Sequence, residues 1–385
     1  MKKDKLLIIA FLGIIFGVFL IYPCKYILVK MDIFDFQPTD NWKYYKPSGN
    51  KIYDKIMSLE TSITNITNNY FPLYSKINSN FNNINKNVNL LFSDKVFIKT
   101  NNDNEYIMYN KEYDFYYLIN NLNKEELLKR IDKQTDFYNE LSLYNANLYI
   151  YLPLRYELTG LASEHDLSSY VQIFKNKLNK NIYVDELSSI TKEEYLKYFY
   201  KTDHHYNANG ALVSYKKILK MMNLTDNNNY EIINVKDNYY GSMAKNTLID
   251  KTSDNLTDIK NNINIPVIKD SKFKPRKILN KNKFYDYYIG YFNGQYDEIV
   301  YNFNKQSDRN LLIFSDSLSW QIDYLLANNF NNTYVINMRY GKWVDNDLNI
   351  KAYLSEHQIT DILFLQEAEN TMFDLYNHNI EKRVK

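Results

Sequence analysis

Two of the five histidines in this sequence, His204 and His205, directly follow an aspartate in Thr202-Asp203-His204-His205-Tyr206-Asn207-Ala208-Asn209-Gly210. In an extended segment, side chains two residues apart point the same way, so Asp203 and His205 can meet. A carboxylate on one ring nitrogen fixes the imidazole tautomer and leaves the other nitrogen free as a base. Such a base needs a nucleophile, and the C-terminal third offers one. Phe314-Ser315-Asp316-Ser317 is an apolar run ending in Asp-Ser, just before a helical pattern. A serine there has its hydroxyl at a helix N-terminus, with backbone N–H groups aimed at any nearby oxyanion. Ser317, His205 and Asp203 would then form a nucleophile, base and orienter. Taken singly, each motif also has an ordinary reading: Ser315 and Ser317 as helix caps, Asp203 as a turn residue, His204 as a satisfied structural histidine. Their combination at the ends of elements favours a site.

The elements that must hold these groups are partly visible. After the Asp-His stretch, Leu212, Tyr215, Leu219 and Met222 recur at helical spacing, with Asn207 or Asn209 as N-cap. From Leu311 the pattern alternates: a strand to Phe314, a helix from Leu318 to Asn329, and a strand from Thr333 to Met338. A helix near Leu348 to His357, a strand from Asp361 to Leu365 and a last helix from Glu367 follow. Strands alternating with helices at this spacing predict a parallel α/β sheet. Ligands of such sheets bind beyond the carboxyl ends of the strands, where Ser315 to Ser317 and Asn337 to Tyr340 lie.

Earlier in the chain, residues from Tyr53 to Leu91 are loosely helical, and Val96 to Ile98 and Tyr106 to Tyr109 read as paired strands. Asn123 with Glu126 resembles a capping box, opening a helix through Leu127, Ile131 and Tyr138. Leu148 to Leu152 is a short apolar strand ended by Pro153, and Thr191 with Glu194 gives a second capping signal. Residues 223–283 are rich in Asn, Asp and Lys and show little pattern apart from Tyr239-Tyr240-Gly241-Ser242. They read as a surface insertion peripheral to the site.

The N-terminus speaks to compartment. Lys2, Lys3 and Lys5 precede an uncharged apolar run, Leu6 to Tyr22, which Cys24 to Val29 extend past Pro23. That is about the length that spans a bilayer, and the basic flank places the N-terminus in the cytoplasm and the rest outside. No small-residue cleavage signal follows, so the expectation is an uncleaved, single-pass signal anchor. The organisation is then an anchor over 1–30, a linker over 31–52 and an extracytoplasmic domain over 53–385. One cysteine excludes an intramolecular disulfide, and a net charge of +2 argues against nucleic acid as partner. The 16% aromatic share, mostly tyrosine among abundant Asn, Lys and Ile, reads as coding bias before it reads as a sugar-stacking surface.

Asp203-His204-His205, followed by an aromatic residue and then Asn and Ala, resembles the signature of the DHHW proteins. These are relatives of the AlgJ/AlgX-type polysaccharide O-acetyltransferases, with SGNH-hydrolase-like catalytic domains. Phe71-Pro72, Tyr149 to Pro153, Tyr240-Gly241-Ser242, Leu311 to Ser317 and Val335 to Tyr340 also resemble that family, in its order. The resemblance implies an SGNH-hydrolase-like α/β fold with Ser317 as nucleophile, His205 as base and Asp203 as its partner. By the same resemblance Arg339, Tyr206, Asp316 and His204 are candidates for substrate binding. Tyr206 stands where the family has Trp, a mild change between large amphipathic rings. Ser315 stands where its Gly-Asp-Ser motif has Gly, which is costly if the turn needs a positive φ or close backbone approach.

The implied activity is acetyl transfer outside the membrane. A membrane-bound O-acyltransferase partner would supply acetyl, Ser317 would carry it, and a hydroxyl of an exported polysaccharide would accept it, with no metal or cofactor. Competing readings are a carbohydrate acetyl esterase and a non-catalytic member of a polysaccharide export complex. Asp-His-His also occurs in metal-dependent phosphoesterases, but their upstream Asp-x-Asp is absent before residue 203.

Overall fold

The computed structural model describes residues 97–99, 106–108 and 123–385, the last with gaps at 157, 162–166, 227, 248–249, 251, 262, 264–266, 270–282, 293–295, 304–307, 345 and 375–377. The apolar N-terminal run, the linker and the loose helical pattern over 53–91 lie outside the described residues. Among the described residues, no helix is long and apolar enough to cross a membrane.

Strands β1 (Phe97–Lys99) and β2 (Tyr106–Met108) pair antiparallel, as their sequence suggests. Next in the chain come β3 (Asn147–Pro153), β4 (Ile182–Leu187), β5 (Glu231–Tyr239) and β6 (Asp254–Lys260). They are followed by β7 (Val267–Lys269), β8 (Glu298–Asn302), β9 (Asn310–Ser315), β10 (Asn332–Ile336) and β11 (Asp361–Leu365). Seven of these form one sheet in the order β4-β3-β11-β9-β10-β8-β7. The five from β4 to β10 in that order run parallel. β8 is antiparallel to β10 and β7 antiparallel to β8, so the expected parallel sheet carries a reversed edge.

The apolar strand runs are explained by burial on both faces. Leu148, Ile150, Leu152, Leu312, Phe314, Ile362 and Phe364 pack on one side with Leu127, Ile131, Tyr138 and Leu141 of the Lys124–Leu141 helix. Tyr149, Tyr151, Leu311, Ile313, Leu363 and Leu365 pack on the other with Ala211, Tyr215, Ile218 and Leu219 of the Ala208–Met221 helix. Phe314 and Phe364, on adjacent strands, stack with centroids 4.6 Å apart. This places both central strands, and hence the turns at their carboxyl ends, on a rigid base.

The capping signals hold. Asn123 Oδ1 accepts from Glu126 N, and Thr191 Oγ1 accepts from Glu194 N to start the Lys192–Tyr198 helix. Asn207, not Asn209, caps the helix after the histidines, accepting from Asn209 N at 2.9 Å and Gly210 N at 3.2 Å. The single helix expected over 318–329 is instead a 3-10 turn, Ser319–Gln321, and a short helix, Asp323–Ala327. They are separated by Ile322, whose φ of −131° lies outside the helical range.

The reading of 223–283 needs a larger correction. Its residues include β5 and β6, an antiparallel pair, and β7 at the edge of the main sheet. β5 is solvent-exposed along most of its length, so it has no apolar face to show in sequence. The insertion is also not peripheral, because the pair packs against the Asp-His loop.

Candidate active site

Residues 199–206 form a tight loop closed by an antiparallel bridge between Phe199 and Tyr206. Asp254 of β6 holds its first half: the carboxylate accepts from Lys201 N at 2.9 Å, Thr202 N at 2.8 Å and Thr202 Oγ1 at 2.6 Å. Thr202 in turn binds the segment after β5, its Oγ1 accepting from Gly241 N at 3.0 Å and its carbonyl from Met243 N at 3.1 Å. This double clamp fixes the position of Asp203.

Asp203 receives four donors. His205 Nδ1 lies 2.6 Å from Oδ1, and His205 N donates to the same oxygen at 3.1 Å. Ser242 N donates to Oδ2 at 2.8 Å, and the Tyr239 hydroxyl donates there as well. Burial works to raise the Asp203 carboxyl, but the charge and hydrogen bond of His205, helped by His204 and Tyr239, hold it far below the usual carboxylate range. An ionised Asp203 keeps the proton on His205 Nδ1 and turns the lone pair of Nε2 outward. Nε2 is buried and has no hydrogen-bond partner among the described residues. The ring cannot swing to find one, because it lies between His204 and Tyr288, each 3.8 Å away, with Tyr288 tilted only 11° from it.

Burial, and the proximity of His204, push the His205 pKa below its ordinary 6.5, and the opposing pull of Asp203 does not restore it. His205 is therefore neutral at neutral pH, as a base must be. A reaction that needs this base should run undiminished at pH 6.5 and lose rate only as pH falls through the depressed pKa. A kcat/KM profile measures this, and an acid limb centred above 6.5 would contradict the assignment.

Ser317 follows β9 through a turn built by Asp316. Asp316 Oδ1 accepts from Leu318 N at 2.8 Å, and Oδ2 accepts from Glu367 N at 2.7 Å, tying the end of β9 to the end of β11. Two tyrosines bring this turn to the histidines. Tyr288, stacked on His205, donates its hydroxyl to the Ser317 carbonyl at 3.1 Å, and the Tyr206 hydroxyl donates to the Leu318 carbonyl. No hydrogen bond joins the Ser317 hydroxyl to His205 Nε2. Ser315 ends β9 in the ladder opposite Leu365, and its φ is not positive. The turn therefore asks for no glycine conformation there, and the expected backbone strain is absent.

The four residues expected to touch substrate differ in what the structure makes of them. Tyr206 is wholly enclosed in the core with its hydroxyl spent, and Asp316 has both oxygens committed to backbone. Both support the turn in this structure. Arg339 donates from its backbone N and from Nε to Asn337 Oδ1, at 3.2 and 3.1 Å. That fixes the amide, leaving Asn337 Nδ2 buried with no partner among the described residues. Asn337 follows β10 directly, next to the Ser317 turn, and is a donor that composition and spacing did not single out. His204 is the partly open member, its side chain 23% exposed. The ligand atoms of Asp203, His204 and His205 lie within 4.8 Å of one another, a grouping that could hold a metal ion. An ion taking Asp203 Oδ1 would displace the 2.6 Å bond that orients His205.

No protein-family model matches this chain, and no curated protein does. Solved structures do. A DHHW family protein from Eubacterium siraeum aligns at 17% identity over 67% of this chain and 89% of its own, with a TM-score of 0.50. Bacillus cereus PatB1, in a structure carrying a sulfonyl adduct, aligns at 21% identity over 66% of this chain and 92% of its own, also at 0.50. This chain shares their fold. The DHHW fold is thus reached here with Asp203-His204-His205-Tyr206 at the loop and Ser315-Asp316-Ser317 at the strand end.

Proposed function

We propose that this chain is a DHHW-type serine O-acetyltransferase, anchored by its N-terminal apolar run and acting outside the membrane on hydroxyls of a cell-surface or exported polysaccharide. The observation that carries the reading is His205 Nε2: buried, neutral, oriented through Nδ1 by Asp203 and without a partner, beside the turn that bears Ser317. A sulfonyl adduct forms where a protein offers a nucleophile to a sulfonyl reagent, so the adduct on PatB1 agrees with a reactive side chain on this fold.

In this reading Ser317 Oγ gives its proton to His205 Nε2 as it attacks the acetyl carbonyl. The oxyanion is met by backbone N–H at the turn and by Asn337 Nδ2, whose buried amide Arg339 has already oriented. The leaving oxygen takes the proton from His205, and acetyl stays on Ser317. A sugar hydroxyl then loses its proton to Nε2 and attacks the acetyl carbon; the bond to Ser317 Oγ breaks, and Oγ recovers its proton from His205. A membrane-bound O-acyltransferase is the proposed source of acetyl, and no cofactor is invoked.

Full-length protein in detergent should release acetate from an activated acetyl ester, and an oligosaccharide acceptor should become acetylated faster than water takes the group. Acetate release that no oligosaccharide accelerates would replace transferase with esterase. Asn337→Ala should lower kcat by roughly 100-fold, the loss typical of one oxyanion donor; an unchanged kcat would remove Asn337 from the reaction.

A further inference from the structure

The second histidine of the tandem has a serine and an acid of its own. His204 Nδ1 lies 2.6 Å from Ser242 Oγ, and His204 Nε2 lies 3.3 Å from Glu367 Oε1. We propose that Ser242, His204 and Glu367 form a second nucleophile set, in which Ser242 takes an acyl group from a small carboxylic ester. This goes beyond the reading above, which uses Ser317 and leaves His204 without chemistry.

The roles follow from one hydrogen bond, between His204 Nδ1 and Ser242 Oγ, and one ion-pair contact, between His204 Nε2 and Glu367 Oε1. Glu367, largely buried, faces Nε2 and holds the proton there, so the lone pair of His204 sits on Nδ1, toward the Ser242 hydroxyl. Asp203 Oδ1 also approaches Nδ1, at 3.4 Å, but it already accepts from His205 Nδ1 and His205 N. The order of contacts is nucleophile, base, acid, with the two ring nitrogens exchanged relative to His205. Access differs too: Ser242 is half-buried and His204 partly open, whereas the His205 side chain is 6% exposed.

The two sets interlock through their backbones. Asp203, partner of His205, accepts from Ser242 N, and Asp316, beside Ser317, accepts from Glu367 N. A helix cap alone would explain Ser242 at the start of the Ser242–Thr247 helix, but not an imidazole on its hydroxyl with a carboxylate behind it. In the step, Ser242 Oγ bonds to the acyl carbon as its proton passes to His204 Nδ1. The ester C–O bond breaks, and the departing oxygen takes that proton, leaving acyl-Ser242 and an alcohol.

The test uses full-length protein in detergent, phenylmethylsulfonyl fluoride and peptide mass spectrometry. The expected result is a sulfonyl group on Ser242 as well as on Ser317, with Ser242 still labelled in Ser317→Ala. His204→Asn and Glu367→Gln should each slow labelling of Ser242, by roughly 100-fold for loss of the general base, and Ser317 should still be labelled in Glu367→Gln. If His204→Asn does not fold, Glu367→Gln decides. Labelling of Ser317 without Ser242, or Ser242 labelling that neither variant slows, overturns the proposal. Failure of the Ser317 reading is separable, since it shows as an unlabelled Ser317.

Discussion

Ser317→Ala and His205→Ala should each reduce steady-state acetate release from an activated ester, beyond a single acylation of Ser242, by on the order of 10⁴ to 10⁶, and the double variant should be no worse than either. The reason lies in the geometry of one nitrogen. His205 Nε2 has a single outlet, because Nδ1 is committed to Asp203 and both faces of the ring are covered by His204 and Tyr288. Without Ser317 the base has nothing to activate, and without His205 the serine keeps its proton at neutral pH. Asp203→Asn should cost on the order of 10⁴, since an amide can hold the imidazole in the wrong tautomer. Steady-state rates on circular-dichroism-checked protein would decide the matter. A Ser317→Ala variant at wild-type rate would take the serine out of the reaction.

Gly241→Ala should come close to that effect without touching a reacting group. A Cβ at this position would lie 2.3 Å from Asp203 Cβ, 2.4 Å from Asp203 Oδ2 and 2.6 Å from the Thr202 carbonyl. Carbon atoms pack at about 3.5–4.0 Å, so the overlap with Asp203 Cβ exceeds 1 Å, and the two oxygen contacts are also too short. Neither side can yield cheaply, because Thr202 is held by Asp254 and Asp203 carries four donors. The easiest relief is for the Asp203 carboxylate to swing off His205. The expected result is a loss of activity approaching that of Asp203→Asn, roughly 10³-fold or more, with a stability cost of about 1–3 kcal/mol from overpacking. Thermal unfolding and acetate release report the two effects separately. Wild-type activity in this variant would mean that the Asp203–His205 bond is not needed.

Much of the scaffold was legible because its signals are local. Asn123, Thr191 and Asn207 cap the helices they precede, and strands β3, β9 and β11 are buried on both faces, so each is a continuous apolar run. The pairing of Asp203 with His205 was readable for the same reason, being set by two-residue spacing in extended chain. What escaped is whatever depends on distant packing. Tyr239 and Ser242 bond Asp203 from the far side of an exposed strand whose polar residues hid it. Tyr288 lies in a tyrosine-rich helix, Tyr287–Phe292, where nothing in the pattern distinguishes the ring that stacks on His205 from its neighbours. Asn337 stood in plain view, but only the Arg339 bonds to its oxygen reveal which end of the amide is free.

The position of β11 bears on how the molecule can be made. It lies between β3 and β9, so a strand interior to the sheet is synthesised after the other six. Until Leu365 has emerged, β3 and β9 are two half-sheets with bare inner edges, paired to partners 214 and 50 residues away only at the end, at Asn147–Asp361 and Leu311–Asp361. The tail that follows is used as a latch: Leu348 N and Ile350 N donate to the carbonyls of Arg383 and Lys385 at 2.7 Å. Nascent chains stalled or clipped before Asp361 therefore do not lose a dispensable edge. They expose a hydrophobic seam open on both sides, which is a template for association with other chains.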